Sequence, residues 1–193
     1  DMLMNDERLS LDLLMQELRQ LPLLLKIMPL MPIPDFEIEK ILTKIRKKIL
    51  LEFETLENKE HCEAFLIELS QNCLVNEFIF RSTTKEKQKL EKLNRKIKLN
   101  FNNNTFNDVI EILILSTYKR IVSYEWHNLI KDFKYDVIIN SHVKDYYSEL
   151  TIKTNIDNNQ IIDDKTSLLM KNQYEKFPYP RWISVSTFSK KIS

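Results

Sequence analysis

The 193-residue sequence contains no glycine, and this absence constrains the fold more than any other feature. Average usage of about 7% would give roughly 13 glycines in a chain of this length. Because glycine is the residue that adopts positive φ without steric cost, such positions must fall to Asn or Asp, or be avoided. Folds with many tight hairpins are therefore disfavoured, and the sequence favours a helical protein.

The absence of glycine also bears on nucleotide binding. A dinucleotide or adenosyl site on a doubly wound sheet needs glycines for its first turn and for close approach of the backbone to the ligand. A P-loop needs glycines as well. We therefore expect no catalytic and no cofactor-binding residues of these kinds in this chain.

The composition indicates one domain with a sizeable core. The chain is 43% hydrophobic and 30% charged, with a formal net charge of +1. A domain of this length buries roughly 70% of the surface that its unfolded chain exposes. The near-neutral charge argues against a dedicated binder of nucleic acid or of anionic membranes.

Several features predict a cytoplasmic protein. Cys62 and Cys73 are separated by about 16 Å along one predicted helix, which is too far for a disulfide and fits free thiols in a reducing compartment. The start of the chain has no secretory signal, and the apolar run 21–33 is interrupted by Lys26 and three prolines, so it is too short to span a membrane. The first residue is Asp1, and we expect the chain to be a fragment.

Periodic apolar residues predict helices along most of the chain. We expect an all-α fold, either a multi-helix bundle or an irregular helical array with an extended C-terminal tail. Residues 1–150 would form the helical domain, and residues 151–193 a polar linker (151–163), a final helix and a proline- and aromatic-rich strap. The predicted helices cover 6–20, a short segment from Pro22 to the prolines that follow it, 35–51, 60–80, 83–99, 105–121, 124–131, 136–149, and 163 or 164 to 176.

Three helix starts have recognisable caps: Asp35, Thr83 with Glu86 at the capping-box spacing, and Asp163 or Asp164. The Asn-rich run 100–104 predicts a loop in which Asn occupies left-handed turns. The predicted core residues are Leu9, Leu11, Leu13, Leu14, Leu18, Phe36, Ile38, Ile41, Leu42, Ile45, Ile49, Phe65, Leu66, Leu69, Cys73, Phe80, Leu90, Leu93, Ile97, Val109, Ile110, Leu113 and Ile114.

Several residues in the helical region allow both a functional and a structural interpretation. Cys73 is a candidate nucleophile, but nothing nearby would lower its pKa, so a core thiol is favoured. Gln71, Asn76 and Glu77 are candidates for lining a ligand pocket. Pairing with neighbouring backbone is the favoured role for them, and Glu77 is the residue expected to hold a buried charge pair.

No metal site is expected. The three histidines share no metal-ligand spacing with each other or with the cysteines. The aspartates at 157, 163 and 164 lack the glycine and terminal glutamate of a calcium-binding EF-hand loop, and helix capping is the better explanation.

The segment Lys85–Lys98 contains seven basic and two acidic residues. It is a candidate strip for nucleic acid or for an acidic partner. However, Leu90, Leu93 and Ile97 define an inner face, and no aromatic residues are interleaved for base stacking. A solvated surface is the favoured interpretation of these lysines.

The segment 172–182 combines two prolines with four aromatic residues. Pro178 and Pro180 fix φ and remove backbone donors, so the chain must follow an extended path there. Arg181 can pair with a carboxylate or stack on a ring. Large apolar areas suited to lying on another surface come from Tyr174, Phe177, Tyr179 and Trp182.

These residues resemble the QYE-x-x-PYPRW element that precedes the catalytic domain in a group of bacterial S-adenosylmethionine-dependent methyltransferases, often linked to tetratricopeptide repeats. Upstream, IPDFE (33–37), LTKIRKKIL (42–50) and QNCLVNEF (71–78) are similar to the helical region of that family. The resemblance covers roughly residues 20–185. Phe177 stands where the family often has Asn, and no glycine-rich methyltransferase motif follows.

The resemblance implies a non-catalytic helical region of a class I methyltransferase-like protein, one that orients the substrate or the catalytic domain. S-adenosylmethionine would be the cofactor of the parent protein and not of this chain. The implied partners are a downstream methyltransferase domain in cis and a protein or glycan substrate, with no membrane and no nucleic acid. The implied interdomain docking residues are Gln173, Tyr174, Glu175, Pro178, Tyr179, Pro180, Arg181 and Trp182.

Two other function classes stay open. The chain is alternatively a free-standing helical protein–protein interaction module with no enzymatic link. Nucleic-acid binding through Lys85–Lys98 is the third class, and it predicts an affinity that falls steeply with salt.

Overall fold

The computed structural model of the chain describes residues 10–105, 108–130, 133–155 and 164–176. These residues form helices and turns with no β-strand among them, which confirms the all-α class. The helices are α1 (Leu11–Arg19), α2 (Pro22–Ile27), α3 (Phe36–Glu52), α4 (Lys59–Val75), α5 (Thr84–Asn102), α6 (Val109–Ser116), α7 (Asp136–Ile139), α8 (Asp145–Asn155) and α9 (Lys165–Lys176). Short 3-10 turns span Phe53–Thr55, Ile121–Ser123 and His127–Leu129, and a π-helical segment, Asn140–Lys144, joins α7 to α8.

Side-chain caps start these helices at the predicted residues. Asp35 accepts hydrogen bonds from two backbone N–H groups in the first turn of α3, at 2.9 and 3.0 Å. Thr83 and Glu86 form the capping box of α5. Asp164 accepts from a backbone N–H in the first turn of α9 at 2.7 Å, so of the two predicted caps Asp164 is observed, whereas Asp163 lies outside the described residues.

Helix α4 lies at the centre of the fold and packs against α1, α2, α6 and α7. Most of its apolar residues and both cysteines are buried, and so are the polar side chains of Ser70 and Asn72. Asn72 Nδ2 donates to the carbonyl oxygen of Met28 at 2.9 Å, which ties α4 to the end of α2. This bond supplies the partner that a buried amide requires.

A second set of contacts completes the core. Helix α3 packs against α1 and α5, and α5 packs against α6. Most of the predicted core residues are buried in one cluster: Leu11, Leu14, Leu18, Leu42, Ile45, Ile49, Phe65, Leu66, Leu69, Cys73, Phe80, Leu93, Ile97, Ile110, Leu113 and Ile114. Four others are half-buried against it: Ile38, Ile41, Leu90 and Val109.

Two core predictions are wrong. Phe36 is 74% exposed because it is the first residue of α3, where the helix extends beyond its neighbours. Leu13 is exposed because the buried face of α1 follows Leu11, Leu14 and Leu18, and a residue two positions from Leu11 points away from it. Leu9 lies outside the described residues.

The predicted helix 124–131 is also wrong. Tyr124 and Trp126 both point into the core and stack at a ring distance of 5.0 Å. Burial at a spacing of two residues does not fit an α-helix, and 3-10 turns replace it here. The Trp126 indole N–H donates to Asn94 Oδ1 at 2.6 Å, which fixes this region against α5.

Two helices run further than predicted. Helix α5 continues through Asn102, so the first part of the predicted loop 100–104 is helical, and the left-handed residue is Asn104 with φ of 51°. Helix α8 continues to Asn155, so residues 151–155 of the predicted polar linker are helical.

A buried arginine joins three parts of the fold. Arg46 on α3 is 2% exposed. Its guanidinium donates to the carbonyl oxygens of Phe80 and Arg81 at 3.1 and 3.0 Å, and to that of Thr117 at 3.2 Å. It also lies 4.0 Å from the ring centre of Tyr118. The charge is therefore compensated by backbone dipoles and an aromatic face instead of a directly bonded carboxylate.

The Tyr118 ring connects this arginine to a buried carboxylate. Its hydroxyl donates to Glu86 Oε1 at 2.9 Å, and Glu86 is 1% exposed. The other carboxylate oxygen accepts from the backbone N–H and the hydroxyl of Thr83, both at 2.7 Å. The capping box of α5 is thus also one end of a buried polar network that extends to α3.

We predict that Arg46→Met lowers the free energy of unfolding by about 3–5 kcal/mol, because it leaves three carbonyls without a donor and Glu86 without a nearby positive charge. Urea denaturation followed by circular dichroism measures the loss. Arg95→Met is the matched control: Arg95 is exposed and pairs with Glu91 one helical turn away, so a change below about 1 kcal/mol is expected. Equal midpoints for the two variants would contradict the role assigned to Arg46.

Candidate functional site

An open groove of about 400 Å³ lies where the end of α4 meets the π-helical segment and α8. Its polar lining comprises Gln71, Arg120, Ser141, Asp145, Ser148 and Glu149. Its apolar lining comprises Pro29, Leu74, Val75 and Ile152. We call it the α4–α8 groove. It combines both charge signs, hydroxyl and amide groups with an apolar floor, as small-molecule and peptide sites commonly do.

The π-helical segment shapes this groove. π-helical turns are rare and frequently lie at functional sites. Here the turn brings Ser141 to the last part of α4, where Gln71 Nε2 donates to its hydroxyl at 2.7 Å. Ser141 in turn donates to the carbonyl oxygen of Val137 at 2.8 Å. The Ser141 hydroxyl is therefore held in place from both sides.

Arg120 provides the positive charge of the groove. Its two terminal nitrogens donate to the two carboxylate oxygens of Glu149 at 3.2 and 3.3 Å, a bidentate arrangement. The guanidinium also lies 5.4 Å from the ring centre of Tyr146. This pair attaches α8 to the turn that follows α6.

Behind the groove, His142 is completely buried. Its Nε2 lies 2.9 Å from the Ser70 hydroxyl, and its Nδ1 has no hydrogen-bond partner among the described residues. Burial, with a smaller contribution from Arg120, lowers the pKa of His142 to about 3. The imidazole is therefore neutral at physiological pH.

The chain reverses at the end of α4 through two residues at positive φ, Glu77 (50°) and Phe78 (57°). Neither is glycine, and for a bulky residue such as Phe78 this conformation is an outlier that costs free energy. The Phe78 ring meets the His142 ring edge to face at 6.2 Å. The turn at positive φ therefore places the Phe78 ring against the buried imidazole of His142.

The lining of the groove suits binding. Ser70 and His142 have the distance of a serine–base pair, but both are fully buried, and within the part of the chain that the structure describes no group bonds to Nδ1. Ser141 reaches the groove, yet its hydroxyl bonds to an amide and a carbonyl and not to a base. The charged and polar lining suits a zwitterionic or peptide-like ligand, with the apolar floor contacting its aliphatic part.

A second groove, of about 470 Å³, lies between α1 and the start of α4. Asp12 there accepts from the backbone N–H groups of Glu57 and Asn58 at 3.1 and 3.3 Å. Arg19 contacts His61 Nε2 across the groove. Its charged groups are thus engaged in holding α1 to α4.

The polar residues singled out at the end of α4 mostly have structural partners. Gln71 is bound to Ser141 and also lines the groove. Asn76 is buried and donates to Asn72 Oδ1 at 3.1 Å, so its partner is a side chain of α4 and not the neighbouring backbone that was expected. Glu77, expected to hold a buried charge pair, is half-buried and not buried, and Arg46 is a buried cation of this region.

The basic segment Lys85–Lys98 is partly neutralised by acidic residues of the same chain. Lys89 pairs with Glu54 at 2.9 Å, and Lys96 and Lys98 pair with acidic residues on α6 and on the turn after it. The lysines of these pairs are at least partly exposed, although Glu111, the partner of Lys96, is buried, and this fits the interpretation of the segment as a solvated face.

The residues implied as interdomain docking residues are only partly described. Gln173 and Tyr174 lie on the last turns of α9 with exposed side chains, and Glu175 belongs to the same helix. Pro178, Tyr179, Pro180, Arg181 and Trp182 lie outside the described residues.

Sequence reasoning did not identify Arg120, His142, Asp145 or Glu149 as site residues. Arg120 follows α6 among ordinary surface residues, and no spacing relates it to α8, 29 residues later. His142 was considered only as a metal ligand.

Both cysteines are free and buried, as predicted. Burial raises the pKa of Cys62 and of Cys73 to about 12; for Cys73 it outweighs the Arg46 guanidinium, which acts in the opposite direction. Among the described residues, no group of three side chains could hold a metal ion. No helix in the described ranges is long and apolar enough to cross a bilayer.

We predict that neither native thiol reacts with an aromatic disulfide reagent at pH 8 while the protein is folded, and that both react in denaturant. Absorbance of the released thiolate measures the reaction. Lys26→Cys is the control, since residue 26 is exposed and its thiol should react at once. A rapid reaction of the wild type would show that one of the thiols is accessible.

We predict a pH dependence of stability that comes from His142. The folded pKa of about 3 lies below the unfolded value of about 6.5, so the unfolded chain binds the proton and stability falls as pH falls below about 6.5. Between pH 7 and pH 5 this amounts to about 2 kcal/mol. Urea denaturation at both pH values should show that difference in wild type and in His61→Gln, and a loss of it in His142→Gln. An unchanged difference in His142→Gln would contradict the prediction.

The role of the α4–α8 groove must be inferred from its own geometry. No protein-family model, no curated protein and no solved structure matches this chain.

Proposed function

We propose that the chain is a non-catalytic helical region that positions the catalytic domain or the substrate of a class I S-adenosylmethionine-dependent methyltransferase-like protein. The observation that carries the proposal is the resemblance of Gln173–Trp182 to the element that precedes such catalytic domains. The placement of Gln173 and Tyr174 at the exposed end of α9 supports it, because a docking element must be accessible.

The chemistry of α9 supports a docking role. Leu168, Leu169, Met170 and Tyr174 are exposed along a helix of twelve residues. Tyr174 combines a large apolar ring with a hydroxyl, a combination common at interfaces. Beyond α9 the proposal assigns docking to Glu175 and to the proline-aromatic residues up to Trp182.

The methyl donor belongs to the partner domain in this proposal. An adenosyl site of the usual kind needs a glycine turn that brings the backbone close to the ligand, and this chain has no glycine. The α4–α8 groove instead offers Arg120, Asp145 and Glu149, charges suited to holding part of a protein substrate. A free-standing protein–protein interaction module is the second candidate, favoured by the exposed apolar residues of α2.

Isothermal titration calorimetry with S-adenosylmethionine tests the proposal. A protein that extends past Ser193 with its natural downstream sequence should bind one equivalent of the donor, and the 193-residue chain should release no heat. The downstream sequence itself should contain a strand followed by a glycine-rich turn within roughly fifty residues.

Binding of the donor by the 193-residue chain would contradict the assignment of the cofactor to another domain. No binding by the extended protein, combined with a downstream sequence that lacks the strand and glycine turn, would leave the interaction module as the function. A pull-down that recovers one stable partner would then identify what it binds.

A further inference from the structure

Helix α2 and the turn after it expose a continuous apolar surface. Leu23 is 70% exposed and Leu30 is 65% exposed, with Ile27 between them and Met31 beside them. The spacing of Leu23, Ile27 and Leu30 places them on one side of a helical path. We call these four residues the α2 surface. The opposite side of α2 is already packed, through Leu24 and Leu25, against the core.

Helix α9 exposes apolar side chains as well. Leu169 is 63% exposed and Tyr174 is 65% exposed, and Leu168 and Met170 are also exposed. Isolated helices shorter than about 12–15 residues are marginal in water, because most helix stability in proteins comes from packing of an apolar face. A helix of twelve residues with its apolar side chains exposed therefore needs a surface to pack against.

The fold places the two elements within reach of each other. Pro29, in the turn after α2, and Ile152, near the end of α8, line the same groove. Eight residues, 156–163, connect α8 to Asp164 at the start of α9. Eight residues span at most about 26–29 Å, whereas α2, with six residues, is only about 9 Å long. The start of α9 can therefore be brought to any part of the α2 surface.

We propose that α9 leaves the exposed position described above and packs against the α2 surface, so that Leu169, Met170 and Tyr174 cover Leu23, Ile27 and Leu30. The short connection favours this occupant over a second copy of the chain, because it keeps α9 at a high effective concentration near the surface. The mode is that of an amphipathic helix bound to an apolar surface.

This inference does not depend on the proposed function, because both elements belong to the 193-residue chain. If the proposed function also holds, α9 has two mutually exclusive positions for its apolar side chains, on α2 or on the catalytic domain. Packing on α2 would then compete with interdomain docking.

Distance measurement between spin labels tests the inference. Lys26→Cys and Asn172→Cys place labels at exposed positions beside the two apolar surfaces, and the buried native cysteines do not take up label. Pulsed electron paramagnetic resonance should give one narrow distance of about 20 Å, as for two packed helices whose axes lie 8–10 Å apart. Adding Leu23→Asp should broaden the distribution and shift it to longer distances.

Leu99→Asp is the matched control, because Leu99 is a leucine of similar exposure (58%) on α5; it should leave the narrow distance unchanged. A broad distribution in the parent protein, or a narrow one that Leu23→Asp does not change, would overturn the inference. A mixture of the two singly labelled proteins should show no such distance, and a narrow distance there would assign the contact to a second copy and overturn it as well. None of these outcomes depends on whether S-adenosylmethionine binds the extended protein.

Discussion

The buried charge of Arg46 is the interaction on which the arrangement of the helices depends. Its guanidinium holds carbonyl oxygens from two separate turns, after α4 and after α6, and it faces the ring that leads to Glu86 at the start of α5. Burying a cation is costly unless donors and acceptors are matched, so only one mutual placement of these segments satisfies it. Apolar packing alone would allow several arrangements of helices of this size.

The α4–α8 groove depends on hydrogen bonds that satisfy buried polar side chains of α4. The last part of α4, Leu69–Val75, is buried on all sides, so its polar residues must find partners within the protein, and Ser70, Gln71 and Asn72 find them on two neighbouring segments. The π-helical segment supplies two of these partners at once, His142 and Ser141. The same π-helical segment that provides hydrogen-bond partners for the buried side chains of α4 also turns the polar side of α8 toward the groove. One local change of helical pitch thus contributes both to the core and to the binding surface.

The sequence predicted those features that depend on neighbouring residues. Helix starts at Asp35 and Thr83 follow from local capping, and the buried faces of α3 to α6 follow from their 3.6-residue period. Features that depend on distant contacts were not predictable. Arg46 has the appearance of a surface residue in the run IRKK, and its burial depends on carbonyls 34 to 71 residues away. The groove likewise joins residues from α4, the turn after α6 and α8, with no spacing in common.

The turn after α4 shows the free-energy cost that the absence of glycine imposes on the backbone. Glu77 and Phe78 hold the left-handed conformation that most proteins assign to glycine, at a cost of order 1–2 kcal/mol for each residue. Phe78 recovers part of this cost through its contact with His142. A chain without glycine can therefore lose thermal tolerance at single backbone positions, without any change to the residues of its core.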